Sequence, residues 1–288
     1  MKLLTEHDIT PVQQVGGIML KRDDLFTLFE SNGVNGGKLR QCVMLVDKVN
    51  PKGVVTYCSI ESPQAPITAA VAKSRNIPCV IVYGGTSRER LLHAEMPVLA
   101  MHYGAKVIIG AKTGRHNVLH AVAEKMAKEQ GWFLVQYGFN LEEHGDVLLQ
   151  AVAKQTQNIP DCENLIAVCG SGITASGILV GLHMNGINVQ NIHLVATGPD
   201  RRELIRKLAG RYGAERDIEY HSLYHMQGFK YDDQVVEHIA GITLHPNYEA
   251  KAFRWFRNSG IEKCVFWITG AKPSVNVIRF HERRSKTE

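Results

Sequence analysis

A lysine directly after two glycines is the first residue of this chain whose setting suggests chemistry. The segment Asn35-Gly36-Gly37-Lys38-Leu39-Arg40 follows an apolar run that ends in Lys21-Arg22-Asp23-Asp24-Leu25-Phe26. Glycines let backbone and ligand approach closely. A lysine amine forms a Schiff base with an aldehyde only when unprotonated, in a dry, partly electropositive pocket. A second segment, Val168-Cys169-Gly170-Ser171-Gly172-Ile173-Thr174-Ala175-Ser176-Gly177, leaves a strand-like run and opens a helix-like one. Such a turn aims backbone N–H groups and the positive helix end at an anion, and Ser171 and Thr174 add hydroxyls. Its glycines miss the G-x-G-x-x-G dinucleotide spacing and no G-K-[ST] follows, so a single phosphate is the ligand it suits. A third segment, from Gly241 to Ala252, carries Tyr248-Glu249 just before an amphipathic run. Taken singly, each has an ordinary reading: a surface lysine, a tight βα turn, a packing tyrosine beside a solvated glutamate.

The elements that must position these residues follow from apolar patterning. Short runs rich in Val and Ile predict strands at 17–21, 53–58, 79–84, 106–110, 133–138, 165–170, 193–198 and 264–269. Near-continuous apolarity suits parallel strands covered on both faces. Helical patterns lie between them at 65–75, 88–103, 117–130, 145–157, 175–184 and 201–212, with another at 39–49 after Lys38. The alternation predicts an α/β architecture with two parallel-sheet domains. Residues 41–145 are expected to form a small four-stranded domain inserted into a larger one built from 1–40 plus 146–288, with the active site between them at the carboxyl ends of the strands.

Taken together and in this order, the segments resemble the tryptophan synthase β-like (fold type II) enzymes that use pyridoxal 5'-phosphate (PLP). The closest resemblance is to the 1-aminocyclopropane-1-carboxylate (ACC) deaminase/D-cysteine desulfhydrase group. That group carries K-R-[DE]-D, G-G-N-K-x-R-K, I-Q-S-N-[HQ], a phosphate loop and D-P-V-Y-E-G-K. The matching residues here are Lys21 to Asp24, Gly36 to Arg40, Ile60-Glu61-Ser62-Pro63-Gln64, Gly170 to Thr174 and Pro246-Asn247-Tyr248-Glu249-Ala250-Lys251, with Gly270-Ala271-Lys272-Pro273 resembling a closing G-G-x-P. The resemblance implies that Lys38 anchors the cofactor and moves a proton. It implies that the N–H groups of Gly170, Ser171, Gly172, Ile173 and Thr174 hold the phosphate, and that Glu249 faces the pyridine nitrogen. By the same resemblance, Ser62, Gln64 and Tyr248 meet the substrate, Ser62 and Tyr248 with catalytic roles. Three departures stand out: Gly37 and Pro63 occupy positions of family asparagines, and His245 occupies that of an aspartate.

The bulk numbers are those of an ordinary globular protein: 288 residues, 44% hydrophobic and 21% charged. No apolar run reaches the roughly 20 residues needed to span a bilayer, and the polar start lacks a signal-peptide core. A cytoplasmic enzyme is expected, in the host cytoplasm if phage-encoded. The six cysteines form no C-x-x-C pair and are expected to be buried thiols. The thirteen histidines show no paired zinc spacing, and no metal is expected. The formal charge of +5 is partly local. Arg201, Arg202, Arg206, Lys207, Arg211 and Arg216 form one cluster, Lys251, Arg254 and Arg257 a second, and Arg279, Arg283, Arg284 and Lys286 a third. They read either as solvated helix faces or as a polyanion surface. The main expected function is a PLP-dependent lyase or deaminase acting through a Cα carbanion on a small amino acid. The alternatives are a PLP enzyme, such as a decarboxylase, acting on an amino-acid adduct of a modified DNA base, and a non-catalytic relative that binds PLP or a metabolite. A homodimer is implied by the resemblance alone.

Overall fold

The computed structural model of the chain describes residues 3–29, 33–223 and 233–273. Two sheets organise it. The six-stranded sheet has the order β1-β2-β12-β7-β8-β9, formed by β1 (Val12–Val15), β2 (Ile18–Arg22), β12 (Cys264–Ile268), β7 (Cys162–Cys169), β8 (Val189–Ala196) and β9 (Glu219–Ser222). Only β1 runs antiparallel to its neighbour. The four-stranded sheet has the order β5-β4-β3-β6 and is parallel throughout, from β3 (Val54–Tyr57), β4 (Cys79–Gly84), β5 (Lys106–Ala111) and β6 (Phe133–Val135). This is the expected α/β class, with the four-stranded sheet arising between the segments that build the larger one.

The continuous apolar strands are covered on both faces. Along β7, Leu165, Ala167 and Cys169 pack with α7 (Ile173–Met184), while Ile166 and Val168 join the opposite core with Phe253 and Phe256 of α9 (Glu249–Ser259). The two-residue period sends alternate side chains to opposite layers. All six cysteines are free thiols, five of them buried.

All eight expected strands are present. Those missed are short and polar: β1, β9, and the two-residue hairpin strands β10 (His238–Ile239) and β11 (Ile242–Thr243). An edge strand such as Glu219-Tyr220-His221-Ser222 has no continuous apolar run to betray it. The helix expected over 88–103 is two helices, α3 (Arg88–His93) and α4 (Glu95–His102), broken at the extended Ala94. Pro97 explains the break: inside one helix its ring would clash with the His93 carbonyl, whereas restarting at Glu95 puts it in a first turn.

Both sheets reverse their strand order once. In the small sheet β3, β4 and β5 progress one way and β6 adds on the other side of β3. In the large sheet β7, β8 and β9 progress one way and β12 lies on the other side of β7. Each reversal opens a crevice at the strands' carboxyl ends.

The structure separates the charge clusters. Lys251 is buried, and Arg254 and Arg257 both pair with Glu237, at 2.9 and 3.0 Å. This group is therefore not an open basic surface. The third cluster lies outside the described residues. On α8 (Arg202–Gly210), Arg206 and Lys207 are exposed, while Arg202 forks onto Asp200. No helix among the described residues is long and apolar enough to cross a membrane.

Candidate active site

The two crevices meet in one cavity of about 320 Å³. Its wall includes Lys38, Ser62, Gln64, Gly170, Ser171, Gly172, Thr174, Tyr248 and Glu249, so nine of the ten residues singled out in the sequence come together. The tenth, Ile173, turns its side chain into the core, and only its backbone can serve an anion.

Lys38 stands in the first turn of α1 (Gly37–Val49). The turn before it is clamped onto the end of β12. Gly37 N–H donates to the Thr269 carbonyl at 2.7 Å, Ala271 N–H donates to Asn35 Oδ1 at 2.8 Å, and Asn35 Nδ2 donates back to the Ala271 carbonyl at 3.3 Å. Gly36 has φ +93°, and a Cβ there would lie 2.2 Å from the Thr269 oxygen. The Gly37 departure also has a local cause. A Cβ at 37 would come within 3.1 Å of Asp23 Oδ2. Asp23 is fully buried and accepts from Thr10 Oγ1, Arg40 Nη1 and Trp267 Nε1 at 2.8, 3.1 and 3.0 Å. The K-R-D-D segment is thus scaffold beneath α1, not cavity wall.

Burial lowers the Lys38 pKa, and the nearby Glu249 partly opposes the shift. Both effects come from one enclosed pocket: removing water disfavours the ammonium, while a carboxylate favours it. Glu249, the first residue of α9, is pushed up to about 8 by burial, against smaller opposing contributions from backbone N–H groups and from Lys38. His245 falls to about 3 through burial and the neighbouring charges of Lys38, Lys272 and Lys251. Its Nδ1 accepts from Asn247 N–H at 3.3 Å, which leaves the proton of the neutral ring on Nε2. The His245 ring lies 4.8 Å from that of Tyr248, and Lys38 Nζ sits 5.7 Å from the Tyr248 ring centre. Tyr248 in turn borders Gly170, where a Cβ would lie 3.8 Å from its ring.

Of the helix N-termini that reach the cavity, those of α7 and α2 have opposite character. The α7 terminus is the Gly170-Ser171-Gly172 turn, with Gly172 at φ +88°. First-turn N–H groups project from a helix end and attract anions. Arg201 adds to this end: its side chain packs within 3.3 Å of a Cβ position on Gly172, and its buried Nε has no protein acceptor. The terminus of α2 (Gln64–Ser74) is poor in free donors. Pro63 and Pro66 have no N–H. Gln64 N–H donates to Ser62 Oγ at 3.3 Å, and Ile67 N–H donates to the Pro63 carbonyl at 3.1 Å. Gln64 Nε2 uses both hydrogens within the protein, on Thr56 Oγ1 at 2.8 Å and the Gln136 carbonyl at 3.0 Å. Its Oε1 accepts Gly138 N–H at 3.3 Å. Gln64 therefore ties the ends of β3 and β6 together and has no donor left for a ligand.

The sequence pattern did not assign Arg201 or His245 to the site. Arg201 was hidden in a run of surface arginines, although its distance from the Gly172 turn is that of one βα unit. His245 was visible only as an oddity before Pro246.

The model of the family described as "Pyridoxal-phosphate dependent enzyme" matches residues 7–262. The chain belongs to the pyridoxal-phosphate dependent enzyme family. The site fits the family's cofactor. It offers a buried lysine amine kept toward its neutral form and a strand–glycine–helix turn for a phosphate. It also offers a buried donor without an acceptor among the described residues beside that turn, and a carboxyl whose pKa burial pushes up to about 8. This PLP-dependent enzyme is 22% identical, over 91% of its own length and 80% of the other's, to the O-seryl-dTMP PLP-dependent decarboxylase of Salmonella phage ViI. It is 25% identical, over 57% of its length and 62% of the other's, to the glycyl-dTMP PLP-dependent decarboxylase of Pseudomonas phage M6. Among solved structures, an ACC deaminase homologue superposes with a TM-score of 0.72 at 20% identity, covering 91% of this chain and 89% of that one. That match supports the fold.

Proposed function

We propose that this PLP-dependent enzyme is a decarboxylase that removes the α-carboxyl from an amino-acid group carried on a thymidine nucleotide. One observation carries the reading: beside the cavity, the α2 terminus has no N–H at Pro63 or Pro66, and its Gln64 and Ile67 N–H groups already donate to Ser62 Oγ and the Pro63 carbonyl. A carboxylate that loses its hydration without gaining hydrogen bonds is destabilised, and release as CO₂ relieves it. The names of the two phage relatives support the same substrate class. Retention of the carboxylate, as a deaminase requires, would favour an open helix end instead.

When bound, the cofactor supplies the electron sink for the pair left at Cα as CO₂ departs. The chain's own residues do the rest. The first turn of α7 would hold the cofactor phosphate, Glu249 would serve its ring nitrogen and Lys38 its aldehyde. The Lys38 amine would also deliver the proton that replaces the carboxyl at Cα. Tyr248 and neutral His245 border that proton's path. Ser62 touches the substrate, while Gln64 positions the wall. Arg201 receives the nucleotide phosphate. The proposal includes a homodimer, a DNA-facing role for Arg206 and Lys207, and the domain bounds 1–40 plus 146–288 and 41–145, which cut α1 after Arg40.

The test is to offer the PLP-loaded protein O-seryl-dTMP and glycyl-dTMP beside free serine, aminocyclopropane carboxylate and D-cysteine, following products by mass. Loss of CO₂ from a nucleotide adduct, reduced at least about 100-fold in Lys38→Ala, is the expected result. Ammonia or sulfide released from a free amino acid with the adducts intact would establish the lyase or deaminase reading instead. Bound cofactor with no turnover of any substrate would make the chain a binding relative.

A further inference from the structure

Away from the cavity, three potential ligand atoms converge at the edge of the large sheet. His193 lies on β8, and Glu219 and His221 lie two residues apart on β9, so their side chains share one face. His193 Nδ1 is 3.2 Å from His221 Nε2 and 3.3 Å from Glu219 Oε2, and the last two atoms are 3.8 Å apart. A tetrahedral site with bonds of 2.0–2.1 Å has ligand–ligand edges of about 3.4 Å. The three separations bracket that value.

A fourth residue fixes the chemistry of the first. Asn164 Nδ2 donates to the Lys263 carbonyl at 3.0 Å, which leaves Asn164 Oδ1 facing His193 Nε2 at 3.1 Å. Asn191 Nδ2 donates to the same oxygen at 3.2 Å. An oxygen that already accepts an amide hydrogen takes a proton from imidazole and gives none, so His193 Nε2 is the N–H. The Nδ1 of the neutral ring then presents a lone pair to a carboxylate oxygen 3.3 Å away. Two acceptors at that distance repel unless a positive centre lies between them. A second ring backs the site, since His221 packs against Trp255 of α9 with centres 4.3 Å apart and planes tilted by 32°.

We propose that His193 Nδ1, His221 Nε2 and Glu219 Oε2 bind one divalent transition-metal cation of the zinc type, with water in the fourth position. Two imidazoles and a carboxylate suit zinc and its neighbours rather than calcium or magnesium. Asn164 is a positioning residue that sets the tautomer of His193. Bound there, the ion ties the exposed edge strand β9 to β8 and holds the His221 ring against the helix that begins with Glu249. None of the three ligands lines the cavity, so the metal site is independent of the reaction proposed above.

The experiment uses the PLP-loaded full chain, stripped with a chelator and titrated at neutral pH with Zn²⁺ against a chromogenic competitor. Co²⁺ serves as the spectroscopic probe. The expected result is one ion per chain, tetrahedral visible bands with Co²⁺ and a rise in Tm on loading. Glu219→Gln and His221→Asn should lose stoichiometric binding, and Asn164→Ala should weaken it about 10- to 100-fold. Should His221→Asn not fold, Glu219→Gln, at a largely exposed side chain, still decides. Failure of the wild-type protein to retain an ion, which would leave a proton as the shared cation, overturns the proposal. So does retention of the ion by a folded Glu219→Gln protein.

Discussion

Glu249 carries its own pH test. Its carboxyl titrates near 4.5 in an unfolded chain and near 8 in the folded one. Between those values the unfolded state releases a proton that the folded state keeps, so stability falls as pH rises through that window, by at most about 1.4 kcal/mol per pH unit. Lys38 has the opposite sign: its pKa is lowered on folding, so its contribution rises with pH on approach to its ordinary value of 10.5. Glu249→Gln removes the first slope. In the cofactor-free protein, the Tm advantage of Glu249→Gln over the wild type should grow from pH 5 to pH 8. A constant difference would mean that Glu249 is not a buried neutral acid. Arg201 makes a second residue-scale prediction. Arg201→Ala should raise KM for the nucleotide-linked substrate by about tenfold or more, the usual loss of a charged hydrogen bond, with cofactor affinity held. A fall in cofactor affinity would instead assign Arg201 to the cofactor phosphate. Lys38 was legible in the sequence because glycines and a family pattern surrounded it. Arg201 and His245 were not, since their importance lies in which walls they face, and no spacing along the chain encodes that.

Elements explain the departures that the sequence displayed but did not account for. Gly37 stands against a buried aspartate. Pro63 is one of two prolines that, with Ser62, leave the α2 terminus poor in free N–H groups. The apolar strands were readable because burial on both faces writes itself into composition. The edge strands were not, because half their side chains meet water. The same polarity hid the cluster on β9: Glu219-Tyr220-His221 is an ordinary exposed strand until β8 brings His193 beside it. Gly36 offers the sharpest element-scale test. Gly36→Ala adds a Cβ 2.2 Å from the Thr269 oxygen at a φ that side chains rarely adopt. The variant should lose more than about 2 kcal/mol in urea unfolding and lose bound-cofactor absorbance with it. Unchanged stability would show that the clamp between α1 and the end of β12 yields easily.

On the scale of the whole molecule, the cavity lies where both sheets reverse strand order. From the βα alternation, the sequence predicted a site at the carboxyl ends of the strands. It left the basic clusters open between solvated helix faces and a polyanion surface, and the structure separates them. Neutralising Arg254 and Arg257, already paired with Glu237, should leave retention on immobilised DNA unchanged at every salt concentration. Neutralising Arg206 and Lys207 together should flatten the salt dependence, by about one unit of log–log slope for each DNA phosphate no longer neutralised. Equal effects from both pairs would return the second cluster to the surface.

The clamp around Lys38 also orders events in time. Asn35 and Ala271, 236 residues apart, hold the lysine turn in place, and β12 fills the gap between β2 and β7. During synthesis the lysine leaves the ribosome early, but its pocket has no floor until the last tenth of the described chain follows. Cofactor capture therefore waits on β12 and Ala271, and a bound cofactor reports that synthesis has passed that point.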